Sequence, residues 1–130
     1  MRSFLLTRAH SFHNAFAGVW YVLRTQKNAW IHSLATLLVI LFAVWLNLSE
    51  RDWAVLVIAI GLVWTAEFIN TALESIVDLA SPQRHPLAKI GKDVGAAAVV
   101  IAAFSSAIVG FLIMGPPLWD KLGQIFNQIH

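Results

Sequence analysis

From Ile31 to Leu48 the chain runs eighteen residues without a formal charge, about 27 Å of helix at a rise of about 1.5 Å per residue, close to the thickness of a bilayer's hydrocarbon core. Two further apolar stretches follow, from about Trp53 to Leu79 and from Val94 to Met114. A hydrophobic fraction of 58% with only 12% charged residues is too apolar for a soluble domain of 130 residues. The sequence therefore predicts an all-α integral membrane protein with three transmembrane helices, in a single domain covering residues 1–130.

The remaining composition removes several kinds of chemistry. Without cysteine there are no disulfides, thiolate metal sites or thiol nucleophiles, so any metal must be held by oxygen or imidazole. The net charge of +2 is carried by scattered Lys and Arg rather than by a basic patch interleaved with aromatics, which argues against nucleic-acid binding. The opening Met1–Leu6 stretch breaks at Thr7-Arg8 with no small-residue cleavage site after it, so no signal peptide is expected.

Before the first span, Phe12, Phe16, Val19 and Leu23 recur at helical spacing, which predicts an amphipathic surface helix over about 8–24 with Trp20 and Tyr21 at headgroup level. Arg24, Lys27, Asn28 and His32 form a polar collar after it. His32, at the membrane edge, reads as a hydrogen-bonding interface residue, and Lys89 as a snorkelling cation. Asn47 to Asp52 is a turn short enough to make the first two spans antiparallel neighbours. The third span is rich in Ala and Gly, including Gly91, Gly95 and Ala96-Ala97-Ala98, and favours close helix packing. Gly115-Pro116-Pro117 predicts a helix break, followed by an interfacial tail over 118–130.

The second stretch carries the chemistry. As a helix it is about 40 Å long, more than a hydrocarbon core of about 30 Å, so its far end emerges into water before Ser81-Pro82 ends it. Glu67, Glu74 and Asp78 fall within about 40° of one another around that helix, with Asn70 about 60° to one side. Counted from Trp53 they lie about 21, 32 and 38 Å along the axis, which puts Glu67 at lipid-headgroup depth and Glu74 within reach of soluble ions. An acid at membrane depth costs about 3 kcal/mol or more and needs a compensating partner. Structural salt bridges between packed helices are one account of the stripe, and a bound metal is the other.

At the same rim the chain gathers His85, Lys89, Lys92 and Asp93. Carboxylates suit Mg²⁺ and lysine suits phosphate, so the set reads as phosphoryl transfer, which needs positioning and charge neutralisation more than covalent chemistry. Neither a Walker-type phosphate loop nor the protein-kinase glycine-rich loop is present: Gly91-Lys92-Asp93 lacks the earlier glycine and the hydroxyl after the lysine. Lys and Arg flank this rim, at Arg2, Arg8, Arg24, Lys27, Arg84, Lys89 and Lys92, and only Arg51 and Lys121 lie opposite, so the acid-bearing end is expected in the cytoplasm, where MgATP is found, and the protein in the cell inner membrane.

The segment from Ala66 to Asp78 (AEFINTALESIVD), with His85-Pro86-Leu87-Ala88-Lys89 and Lys92-Asp93-Val94-Gly95-Ala96-Ala97-Ala98-Val99, closely resembles the signature of the small prokaryotic diacylglycerol kinase family, which includes the undecaprenol kinases. Ser11-Phe12 with Ala15 and Gly18, then Asn28 and Ile31-His32, resemble that family's N-terminal pattern. The resemblance implies three-span proteins with an N-terminal surface helix, assembled as homotrimers with active sites shared between subunits, that move the γ-phosphoryl group of MgATP to a lipid alcohol. It implies Glu67 as general base, Asn70 beside the substrate, Glu74 as metal ligand, His85, Lys92 and Asp93 as nucleotide contacts, and Asp78 as a supporting acid. Where the family commonly has a second metal-ligating glutamate this chain has Gln26, a neutral oxygen donor and a candidate ligand to the metal and nucleotide. Arg8 and His10 match the family's N-terminal basic residues only approximately.

The Leu73–Leu79 wording, the His85–Lys89 element and Ile31-His32 look closer to undecaprenol kinases than to the diacylglycerol-selective enzymes. Both acceptors are uncharged lipids ending in a hydroxyl, and an apolar groove read from sequence separates neither. A different class of function stays open beside the kinase: a non-enzymatic membrane subunit whose acids form a cation-binding or assembly site.

Overall fold

The computed structural model describes the backbone of residues 2–129 and the side chains of residues 10–128, which leaves the side chains of Arg2 and Arg8 outside the described residues. The chain folds as four helices, α1 (Arg2–Thr25), α2 (Lys27–Trp45), α3 (Glu50–Ala80) and α4 (Pro86–Ile129). Among the described residues there is no strand. Helices α2, α3 and α4 are each long and apolar enough to cross a membrane.

Each junction has a local cause. Gln26 adopts an extended conformation (φ −97°, ψ 118°) between α1 and α2, so a single residue turns the surface helix into the first span. Helix α2 ends in a Schellman motif. Asn47 takes the left-handed conformation at φ 53°, its N–H donates to the Val44 carbonyl at 3.1 Å, and the Leu48 N–H donates to the Ala43 carbonyl at 3.2 Å. Asparagine is one of the few residues besides glycine that accepts this geometry.

Helix α3 starts at Glu50 rather than at Trp53, because Ser49 and Asp52 form a capping box: the Asp52 N–H donates to Ser49 Oγ and the Ser49 N–H to Asp52 Oδ2, both at 3.3 Å. Glu50 and Asp52 then sit in the first turn, where the helix dipole favours negative charge.

Helix α4 corrects one expectation. It continues without a break through Gly115-Pro116-Pro117, so the third span and the tail are one helix of 44 residues. Proline in a helix interior removes a backbone hydrogen bond and ordinarily costs about 3 kcal/mol, but a neighbouring element can hold the chain in register. Here Lys121, beyond the prolines, donates to the Trp45 carbonyl at the end of α2 and places its ammonium 4.8 Å from the centre of the Trp45 ring. The cation meets the carbonyls that a helix C-terminus leaves unpaired.

The three long helices alternate in direction. Trp64 Nε1 of α3 donates to Thr36 Oγ1 of α2 at 3.1 Å, while Glu67 faces His32. Ser106 Oγ of α4 donates to the Ala59 carbonyl of α3 at 2.9 Å, while Asn70 meets Gly95. As one chain is followed forward its partner runs backward in both cases. The start of α2, the end of α3 and the start of α4 therefore share one end of the bundle.

The principal packing is between α3 and α4. The buried stripe of α3 is Leu56, Ala59, Val63, Glu67 and Asn70, with Thr71 beside it, at the 3-and-4 spacing of one helix face. Opposite lie Gly95, Val99, Ala102 and Gly110 of α4, all buried and mostly small, which lets the two helices approach closely. Most large apolar side chains point outward, among them Ile58, Ile69, Val100 and Phe111, as expected of helices whose solvent is lipid. Replacing Ser49 by Ala removes half of the α3 capping box and is expected to cost about 1 kcal/mol, read as an earlier unfolding midpoint in detergent micelles; an unchanged midpoint would show that the cap contributes nothing.

Candidate active site

The buried stripe of α3 changes character along its length. Leu56, Ala59 and Val63 are apolar, whereas Glu67 and Asn70 continue the same face with polar groups. Glu67 is 1% exposed and is, with Leu56, the most completely buried large side chain among the described residues. Its Oε2 lies 3.8 Å from His32 Nε2 on α2, beyond hydrogen-bonding distance, and both atoms are buried with no hydrogen-bond partner among the described residues. The Glu67 carbonyl accepts from Thr71 Oγ1 at 2.9 Å.

One turn on, Asn70 Nδ2 donates to Glu74 Oε1 at 3.1 Å, which leaves Asn70 Oδ1 buried and unpaired. Directly across from it is Gly95. A Cβ on that residue would come within 2.4 Å of Asn70 Oδ1, so only glycine lets α4 pass the amide in its present place. Glu74 itself is half-buried.

Beyond Glu74 the stripe reaches the open end. Asp78 Oδ1 pairs with Lys92 Nζ at 2.6 Å, and Lys89 Nζ with Asp93 Oδ2 at 2.8 Å, one turn apart on α4. The Lys89–Asp93 pair is an exposed contact one turn apart on the same helix, in keeping with an ammonium that reaches out to water. These residues, with Arg84 and His85 from the connection, line an open cleft of about 630 Å³. His85 also caps α4: its Nδ1 accepts from the Leu87 N–H at 3.2 Å, which accounts for this histidine at the head of that helix. With Arg84, Lys89 and Lys92 against Asp78 and Asp93, the cleft has one more cation than anion before His85 is counted.

The acids of the stripe do not converge on a single metal centre. Glu67 faces His32, Glu74 bonds Asn70 and Asp78 pairs with Lys92, and among the described residues no three His, Cys, Asp or Glu side chains come together as metal ligands. Gln26 lies at the start of α2, at the same end of the bundle as Glu74, with its side chain uncommitted to capping α2. One carboxylate with neutral oxygen donors suits Mg²⁺, which is ordinarily held by one or two carboxylates and completed by substrate phosphates and water.

The family model described as prokaryotic diacylglycerol kinase matches residues 13–114. The chain belongs to that family. It is similar to an undecaprenol kinase of Bacillus subtilis, 39% identical over 108 residues that cover 83% of this chain and 88% of that protein. It is also similar to a diacylglycerol kinase of Synechocystis, 47% identical over 83% of this chain and 62% of the relative, and to a diacylglycerol kinase of Escherichia coli, 32% identical over 79% of this chain and 87% of the relative. A member of the prokaryotic diacylglycerol kinase family is a membrane lipid kinase, and its phosphoryl donor is ATP. The matched stretch takes in every residue from Gln26 to Asp93 discussed above and stops short of Lys121.

Sequence reasoning read His32 as an interface residue and Gly95 as a packing residue, and gave neither a place at this site. His32 carries no signal of its role in its immediate neighbours, because its partner is thirty-five positions away on another helix. Gly95 reads as a packing glycine, and only the position of Asn70 reveals what it must clear. Gly95→Ala is expected to leave a folded protein in which Asn70 is displaced, with lipid phosphorylation reduced roughly a hundredfold. Turnover measured beside thermal unfolding checks this: wild-type turnover would mean that the position of Asn70 is immaterial.

Proposed function

We propose that this kinase transfers the γ-phosphoryl group of ATP to the terminal hydroxyl of an uncharged membrane lipid, undecaprenol or diacylglycerol, with Glu67 as general base. The observation that carries the proposal is the course of one helix face. It begins with a fully buried carboxylate, passes the Asn70–Glu74 hydrogen bond, and ends at a cleft with an excess of cations, about 16 Å along the axis from Glu67 to Asp78. A lipid alcohol lies at the dry end of such a face and a nucleotide at the wet end.

In the reaction the lipid hydroxyl oxygen forms a bond to the γ-phosphorus, the bond from that phosphorus to the β–γ bridging oxygen breaks, and ADP leaves with the electron pair. The hydroxyl proton passes to the Glu67 carboxylate. Asn70, whose amide oxygen has no partner among the described residues, orients the acceptor beside that carboxylate. Lys92 neutralises phosphate charge, and Asp78 holds its ammonium over the cleft. His85 and Asp93, from the same cleft, contact the nucleotide. Glu74, with Gln26 as a neutral second donor, would hold Mg²⁺, which would add to the neutralisation of the triphosphate.

Arg24 and Lys27, with Arg84, Lys89 and Lys92, flank the site end of the bundle, and Arg51 and Lys121 the other, which supports a cytoplasmic active site in the inner membrane. Homotrimeric assembly with shared sites, which the family resemblance implies, accords with acids that form no three-ligand metal cluster among the described residues of one chain. The acceptor is decided chemically. Purified protein with ATP and each lipid in turn is expected to yield undecaprenyl phosphate or phosphatidic acid, and failure with both would leave the non-enzymatic cation-site reading.

Glu67→Gln is expected to fold and to bind MgATP with unchanged affinity while turnover falls about 10²- to 10⁴-fold. Nucleotide binding measured beside product formation checks it, and full activity in this variant removes the base assignment. Gln26→Glu is expected to lower the Mg²⁺ concentration that gives half the maximal rate, since it adds a charged oxygen ligand. A magnesium titration unaltered by that substitution takes Gln26 out of the metal site.

A further inference from the structure

We propose that His32 is a positioning residue for Glu67: its Nε2–H donates to Glu67 Oε2 during turnover, fixing the carboxylate so that Oε1 is turned to the lipid hydroxyl. The inference rests on the reading of Glu67 as the base. Its geometric basis is independent of that reading.

Two buried polar atoms from different helices, His32 Nε2 and Glu67 Oε2, face each other across 3.8 Å, and neither has another hydrogen-bond partner among the described residues. Buried polar groups are almost always paired, so two orphans aimed at one another mark a bond left long rather than a chance approach. Catalytic hydrogen bonds are commonly long in the absence of substrate and tighten when it binds. Closing this one to about 3.0 Å takes a shift of less than 1 Å.

The imidazole is held ready for that role. The Trp64 ring packs against it in a T-shaped arrangement, ring centres 6.3 Å apart and planes at 69°, and Trp64 is itself fixed by its Nε1–H bond to Thr36 Oγ1 at 3.1 Å. Thr36 lies one turn from His32 on α2, and Trp64 one turn from Glu67 on α3. The two helices are thus pinned to each other one turn away from the pair by a bond made with side chains alone. A carboxylate fixed at one oxygen presents the other in a single orientation, whereas a free one samples many. Without a donor on α2, the Glu67 side chain keeps its place in the stripe and loses its aim.

The test compares His32→Leu, which removes the donor, with His32→Gln, whose amide N–H reaches the same point, each alone and combined with Glu67→Gln. In His32→Leu, kcat is expected to fall roughly ten- to a hundredfold with KM for ATP unchanged, and His32→Gln to return it to within a fewfold of wild type. In the Glu67→Gln background, His32→Leu is expected to add no further loss, because the two residues act as one unit. Wild-type kcat in His32→Leu overturns the proposal, as does a Gln variant no better than the Leu variant, or an additional loss in the Glu67→Gln background. Full activity of Glu67→Gln alone overturns the base reading and this proposal with it, so the two failures are told apart. Nitrogen-15 spectra of the unaltered protein give a reading that no variant's folding affects: His32 Nε2 is expected to carry a proton, and an unprotonated Nε2 overturns the assignment.

Discussion

A carboxylate buried between apolar helices is costly unless it is compensated, and the burial of Glu67 is the constraint around which this bundle is arranged. Polar groups of α2 and of the next turn of α3 gather around it, yet Glu67 Oε2 keeps no hydrogen-bond partner among the described residues. His32 comes from α2, Thr71 and Asn70 from the adjoining turn of α3, and Gly95 of α4 recedes to let the Asn70 side chain occupy the helix–helix interface. Packing and polarity are therefore a single problem here. The close approach of α3 and α4 that small residues allow is also what brings the Asn70 amide beside the α4 backbone, where any larger residue than glycine would collide with it.

The same helix face then converts depth into chemistry. Because α3 is 31 residues long, about 46 Å, it cannot be contained in a hydrocarbon core of about 30 Å. Its last turns are free to carry Glu74 and Asp78 in a polar setting while Glu67 stays dry. Antiparallel packing brings the start of α4 to that end, so Lys92 reaches Asp78 from across the groove and the connection supplies Arg84 and His85. The residues that differ most in solvation sit on one rigid rod, and their spacing is set by the helix rise.

Much of this was legible in the sequence because helices in lipid obey few rules. Span length, the short turn after Trp45 and the stripe from Glu67 to Asp78 all follow from counting along one helix, whereas α1 begins at Arg2 and α4 at Pro86, well before residues 8 and 94 where the periodicity alone starts them. What counting misses is tertiary. The stripe suggested acids sharing a metal, yet each acid has its own neighbour, because Asp78 finds Lys92 and Glu67 finds His32 on different helices. The capping box at Ser49 and Asp52 moved a helix start by three residues, since Glu50 to Asp52 read as turn until the cap is seen. Gly115-Pro116-Pro117 failed to end α4 for a similar reason: the tail beyond it is tied to the end of α2 by Lys121 and Trp45, seventy-six positions apart.

Three buried polar atoms have no hydrogen-bond partner among the described residues: His32 Nε2 and Glu67 Oε2 face each other between α2 and α3, and Asn70 Oδ1 lies one turn further along α3, against Gly95 of α4. Unpaired buried groups scattered through a protein would indicate poor packing, but elsewhere this bundle satisfies its polar side chains economically: Ser33, Thr71 and Ser75 bond carbonyls one turn back, and Ser106 reaches across to Ala59. The deficit is local. Such groups lower stability where they stand, and natural sequences tolerate that loss chiefly where an incoming ligand completes the set. An alcohol is both a donor and an acceptor through one oxygen, so it can give its proton to a carboxylate and accept from a neighbouring N–H group. The unsatisfied groups thus suit the hydroxyl of the proposed lipid acceptor, and the apolar remainder of the bundle suits its hydrocarbon chains.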